Sequence, residues 1–105
     1  MNVLLVVAED RAVCESLRAA LPESDLLLFE PGIPQGLRRL ISLKPDAVIV
    51  DDGPQLGRQA VERLRSAAPS IPVIAMAARG DAETRAGFTL AGARACLSKP
   101  FSCDE

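Results

Sequence analysis

Four short, unbroken apolar runs constrain this chain more than anything else in it. They are Val3–Val7, Leu26–Phe29, Ala47–Val50 and Val73–Ala77. Runs of this length without polar alternation suit strands buried on both faces, as in a parallel sheet. Residues 94–98 form a weaker fifth run. Between the runs the apolar period lengthens to three or four residues. Val13, Leu17 and Leu21 make one helical stripe, with Asp10 placed to cap its start and Pro22 to end it. Leu37, Leu40 and Ile41 make a second stripe, ended by Pro45. Leu56, Ala60, Val61, Leu64 and Ala67 make a third, ended by Pro69. The fourth, over residues 82–91, has Asp81 as its cap and Gly92 as its close, with Gly87 inside at a cost of ~1 kcal/mol relative to Ala. Strands alternating with helices, joined by right-handed crossovers, give an α/β fold with a doubly wound parallel sheet.

At 105 residues, 49% of them hydrophobic, the chain can form one domain with one core and is too apolar for a disordered segment. Its longest apolar stretch, residues 71–78, is far too short to span a bilayer. Residues 3–8 are apolar, but no basic residue precedes them and Glu9-Asp10 follow, so they do not read as a signal peptide. A net charge of −2 with no Trp, no Tyr and 3 Phe argues against nucleic-acid contact by this domain. The 3 cysteines form no C-x-x-C pair, and their odd number fits a reducing compartment, hence the cytoplasm. No histidine is present. Ser-His, Cys-His and His-metal chemistry are therefore excluded, which leaves carboxylates, Lys, Arg, Cys or a bound metal.

Ligands on doubly wound sheets bind at the carboxyl ends of the strands, where strand order reverses. Glu9 and Asp10 follow the first strand, Asp51 and Asp52 end the third, and Lys99 follows the fifth. Converging carboxylates attract a hard cation such as Mg²⁺, which is held by one or two carboxylates with waters and phosphate oxygens. A carboxylate can also be a nucleophile and form an aspartyl-phosphate. No phosphate-cradling glycine loop follows the first strand, which argues against a flavin- or nucleotide-binding enzyme of this topology. Arg79-Gly80-Asp81 reads as a loop leading to a helix cap. Arg38-Arg39 and Arg63/Arg65 read as solvated helix faces.

Four stretches carry a resemblance: residues 3–10, 45–51, 71–81 and 91–101, the last closing on Lys99-Pro100-Phe101. In this order, over the whole length, the chain resembles the receiver domain of two-component response regulators. The resemblance implies a flavodoxin-like, five-stranded sheet of order 2-1-3-4-5. It makes Asp51 the phosphoacceptor, taking a phosphoryl group from a histidine kinase or phosphotransfer protein. Glu9, Asp51 and the Gly53 carbonyl would hold Mg²⁺, with Asp10 in reserve. Lys99 would pair with the phosphoryl oxygens. Such a domain is a signalling module rather than an enzyme, and it regulates an output domain or partner protein.

The chain departs from the receiver pattern at four places. One usual acid after the first strand is Ala8. The hydroxyl residue that usually ends the fourth strand is Ala77. The usual aromatic switch on the fifth strand is Cys96. The loop after Asp51 is about two residues short. Ala77 and Cys96 occupy the switch positions, and their loss supports a competing expectation: a pseudo-receiver, kept as a protein-interaction module without phosphate. Finally, Ser102-Cys103-Asp104-Glu105 reads as a capping box for a fifth helix that the 105 residues do not contain. The expectation is a truncated receiver whose third to fifth strands leave apolar side chains uncovered, to be closed by a homodimer or a partner.

Overall fold

A computed structural model describes residues 2–21, 23–51, 58–78 and 82–99. The elements run β1 (Val3–Val7), α1 (Arg11–Ala20), β2 (Leu26–Glu30), α2 (Ile33–Leu43), β3 (Ala47–Asp51), α3 (Arg58–Ala67), β4 (Val73–Ala78), α4 (Ala82–Ala91) and β5 (Ala95–Lys99). The strands form one parallel sheet of order β2-β1-β3-β4-β5. The expected α/β architecture and strand order are therefore present.

Alternation along the strands divides the core into two layers. Leu5, Val7, Val48, Val50, Val73, Ala75 and Ala77 point to the face covered by α2, α3 and α4, where they meet Leu40, Val61, Leu64 and Phe88. Val6, Ala8, Ile49 and Met76 point to the other face and pack with Val13 and Leu17 of α1. Asp46 sets the starting register. Its carboxylate accepts from the Val3 N–H at 2.6 Å, and its own N–H donates to the Val3 carbonyl at 2.7 Å.

Two glycines have steric work. A Cβ on Gly36 would lie 2.9 Å from a Val7 methyl, so its absence lets α2 sit close against β1. Gly92, at φ 111°, closes α4. Its N–H donates to Thr89 O at 3.1 Å and the Ala93 N–H to Phe88 O at 3.0 Å, which is a Schellman motif.

Several expectations need correction. β2 is not buried on both faces: it is an edge strand, and Leu26 is 47% exposed. α2 begins at Ile33, ahead of the Leu37–Ile41 stripe, with a proline in its first turn where a missing N–H does no harm. Ile33, Gly36 and Leu40 face the core, whereas Ile41 is 66% exposed. Ala67 ends α3 in solvent. The expected bare patch on the α1 face is not found at Ile49 or Met76, which are 4% and 0% exposed within the α1 layer. β1, β3 and β4 are consecutive neighbours, so their side chains on that face merge into one cluster with α1. Ile74 is half-buried. The Asp81 cap, Leu56 and the Ser102–Glu105 capping box lie outside the described residues.

Candidate functional site

All strands are parallel, so the ends of β1, β3, β4 and β5 lie on one sheet edge. The register then aligns the expected residues. Val7 pairs with Val50, which brings Ala8 level with Asp51. Asp51 pairs with Met76. Ala78 pairs with Lys99, so the Lys99 backbone reaches the same edge two strands away from Asp51.

Asp51 is 2% exposed, the one buried charged residue among the described positions. It continues the alternation of Ile49, on the α1 side of the sheet. Burying a carboxylate at this depth is unfavourable unless it is stabilised. Its place at the end of β3 puts it on the carboxyl edge of the sheet, where ligands of doubly wound folds bind.

Glu9 follows β1, is exposed, and forms part of the wall of an open cleft of about 410 Å³. The start of α2, Gly32 to Gln35, and Arg63 of α3 also line it. Asp10 has a defined local duty: its Oδ1 accepts from the Ala12 N–H at 2.9 Å and caps α1. Ala8 is buried and supplies no donor atom.

Among the described residues no group of three or more His, Cys, Asp or Glu gathers as a metal cage. Glu9 and Asp51 remain as two hard oxygen donors on neighbouring strand ends. That set fits Mg²⁺, which takes one or two carboxylates and completes its shell with water or phosphate oxygens. Gly53 and Asp52 lie outside the described residues.

Ala77 is 0% exposed and points to the α4 face, away from the face of Asp51. Cys96 pairs with Ala75 and is half-buried on that same face. The two switch positions thus share one seam, between α4 and the β4–β5 pair. Arg85 of α4 crosses it: its Nη2 donates to the Cys96 carbonyl at 3.2 Å.

Two side chains near the site were not singled out from sequence. Cys14 packs on the Val6–Ala8–Ile49 cluster. Burial pushes its thiol above its ordinary pKa near 9, and the negative charges of Asp51 and then Asp10 push in the same direction. The second is Arg85, whose signal was spacing: it lies three residues before Phe88, on the buried side of α4.

Residues 4–105 match the family model of the response regulator receiver domain. Response regulator MprA of Mycobacterium sp. strain KMS is 36% identical over 110 residues, which take in 97% of this chain and 46% of that protein. MprA of Mycobacterium ulcerans strain Agy99 is also 36% identical, over 97% of this chain and 45% of its own length. The chain spans about half the length of these curated relatives. A crystal structure from Chloroflexus aurantiacus, described as that of a response regulator, superposes with a TM-score of 0.88 at 26% identity, over 98% of this chain and 88% of that one. A receiver domain protein from Clostridium thermocellum shares the fold, with a TM-score of 0.84 at 21% identity, over 99% of this chain and 86% of that one.

Proposed function

The chain belongs to the response regulator receiver family, and from that premise we propose that Asp51 accepts a phosphoryl group from a histidine kinase or phosphotransfer protein. The observation that carries this reading is a buried carboxylate at the end of β3, on the strand-end edge that also carries Glu9. A carboxylate oxygen of Asp51 forms the new O–P bond while the donor's P–N bond breaks, and the electron pair leaves on the donor's imidazole nitrogen. Glu9 and Asp51 would hold Mg²⁺, with the Gly53 carbonyl as the third protein ligand. Held there, the ion would supply positive charge against the phosphoryl oxygens. Lys99, carried to the edge by β5, would balance the remaining charge as transfer proceeds. The domain would act in the cytoplasm and pass its state to an output domain, a partner or a second copy of itself. Among the described residues no helix is long and apolar enough to cross a membrane.

A second reading is favoured by Ala8 and Ala77. One stands level with Asp51 where a receiver usually has an acid, and the other removes a hydroxyl from the end of β4. On that reading the fold is a pseudo-receiver that binds partners without phosphate. Incubation with Mg²⁺ and a small acyl phosphate, read by intact mass, separates the two. A gain of one phosphoryl group that Asp51→Asn abolishes and Asp52→Asn keeps is the expected result. No gain with the folded chain favours the pseudo-receiver.

A further inference from the structure

Pro45 leads into β3 and Ile71 into β4, so both stand at the amino edge of the sheet, the end away from Asp51. They line a groove of about 430 Å³. Leu40 and Ile41 of α2, its C-cap Lys44, and residues 67–70 at the close of α3 line it too. Its volume falls in the range of ~300–1,000 Å³ in which proteins hold ligands. Ile41 belongs to the apolar stripe of α2, yet it is 66% exposed. One exposed apolar side chain is ordinary. Ile41 is not isolated, however: it shares the groove with Ala67 and Pro69, both exposed, and with half-buried Ile71.

Charge narrows what such a groove accepts. Among the described residues Lys44 is the one charged group that lines it. Lys44 is exposed, and its φ of 49° is left-handed, a conformation that helix ends commonly give to glycine. Arg38, also exposed, stands one turn before Ile41. Neither cation forms a salt bridge among the described residues. The acid closest in sequence, Asp46, is engaged with β1: its carboxylate accepts from the Val3 N–H at 2.6 Å. The carboxyl ends of α2 and α3 add about half a negative charge each, less than the two cations carry. Two copies packed groove to groove would gather Lys44 and Arg38 of both into one interface, and like charges oppose that arrangement.

We propose that this groove docks a short peptide segment of a partner protein, one that carries a large apolar residue flanked by Asp or Glu. The apolar side chain enters beside Ile41, Pro45 and Ile71, and the flanking carboxylate meets the Lys44 ammonium. Apolar burial supplies the affinity, and the cation selects acid over base at the flank. The groove and Asp51 occupy opposite edges of the sheet, so a docked segment does not compete with a metal ion or phosphoryl group at the acidic edge. The inference holds whether or not Asp51 is an acceptor.

The test pans a random heptapeptide library, displayed on phage, against the immobilised 105-residue chain. Ile41→Ser serves as the counter-selection, since the exposed position leaves the core untouched. Enriched peptides should carry a large apolar residue next to Asp or Glu. The most enriched one, labelled with fluorescein, should bind the natural chain roughly tenfold or more tightly than Ile41→Ser, read by anisotropy. The amide shifts it causes should cluster within residues 40–45 and 67–71. Panning against Lys44→Glu should enrich Lys or Arg at the flank instead. Enrichment that is absent, or that Ile41→Ser retains, overturns the proposal. Flanks that stay acidic against Lys44→Glu also overturn it. Sedimentation of the natural chain as a dimer that Ile41→Ser dissolves would make a second copy the occupant and defeat the peptide assignment.

Discussion

At the ends of β1 and β3 the sheet edge carries Glu9, Asp10 and Asp51, and the layer beneath is α1 with Val13, Cys14 and Leu17. At the end of β4 it carries Ala77, and the layer beneath is α4 with Arg85, Phe88 and Ala91. The first region carries oxygen donors, which the proposed reading assigns to phosphoryl chemistry. The second has small side chains at Ala77 and Cys96, and Arg85 spans the seam to the Cys96 carbonyl. On the proposed reading, chemistry and response would therefore rest on separate layers of one sheet, and a sequence could lose parts of one and retain the other.

Truncating each layer's anchor is the largest perturbation of this division. Phe88 is 1% exposed and fixes α4, so Phe88→Ala should lower unfolding free energy by about 3–5 kcal/mol. Leu17→Ala, on α1, should lose about 2–5 kcal/mol. Urea denaturation measures both, and Phe88→Leu keeps the test available if the alanine variant does not fold. Compared at equal folded fraction, phosphorylation should survive the change at Phe88 and weaken with the change at Leu17. Equal effects on chemistry would show that the layers are not separable.

Ala77→Thr crosses from one region to the other. Ala77 is fully buried, so the larger side chain should destabilise by about 1–3 kcal/mol through overpacking. Ala77 starts on the α4 face, so the hydroxyl gains only where it reaches round the strand end to a phosphoryl oxygen, a bond to a charged group worth ~1.5–3 kcal/mol. If only half of that is realised in the transition state, phosphorylation still speeds up several-fold. Intact-mass kinetics beside urea titration would record both effects. An unchanged rate would mean that this position is not what limits the chemistry, and an undiminished stability would mean that the site has room for the larger side chain.

The strand runs and the acidic edge were legible in the sequence, because each is written in local pattern; the strand order followed only from the resemblance to receivers, since local pattern does not report which strands are neighbours. Val3–Val7 and Ala47–Val50 sit at the centre of the sheet and read as buried on both faces, as they are. Leu26–Phe29 reads the same way yet lies at the edge, since composition does not report which strand has only one neighbour. The α2 stripe was misplaced because Gly36 faces the core through its lack of a side chain, which no hydrophobic period reveals. At the site, Asp51 and Glu9 were legible as acids ending apolar runs. Arg85 and Cys14 were not, because their importance comes from register across the sheet. A charged helix residue looks like a solvated face until a neighbouring strand is placed against it.

Asp10 divides cap from ligand. Asp10→Ala should lower stability by about 1 kcal/mol, since α1 loses its side-chain cap. Asp10→Ser should restore most of that loss. Mg²⁺ titrations followed by amide shifts at Glu9 and Asp51 should give the same response in Asp10→Ser as in the natural chain. A weakened response in that capped variant would make Asp10 a ligand and extend the acidic region by one residue.

The smallest expected effect is at Cys14, which reports the charge of the acceptor region from within the α1 layer. Burial raises its pKa above 9, and Asp51 and Asp10 raise it further. The folded state therefore holds the thiol proton more tightly than the unfolded chain does. The sign follows from proton linkage: this stabilisation is fully present below the unfolded thiol's pKa, and it is lost as pH rises through the higher folded value. Removing one negative charge lowers the folded pKa, so Asp51→Asn should speed alkylation of Cys14 by a small neutral reagent. The gain is modest, because burial is the larger cause and Asp51→Asn leaves it in place. Mass-resolved alkylation rates between pH 7 and 10, with Cys96 and Cys103 replaced by Ser, isolate the Cys14 thiol. The natural chain and Asp51→Asn should give parallel curves, with that of Asp51→Asn displaced to lower pH. Superimposed curves would mean that the Asp51 charge does not reach the α1 layer, and the division between a charged region and a neutral one would then stop at the sheet edge.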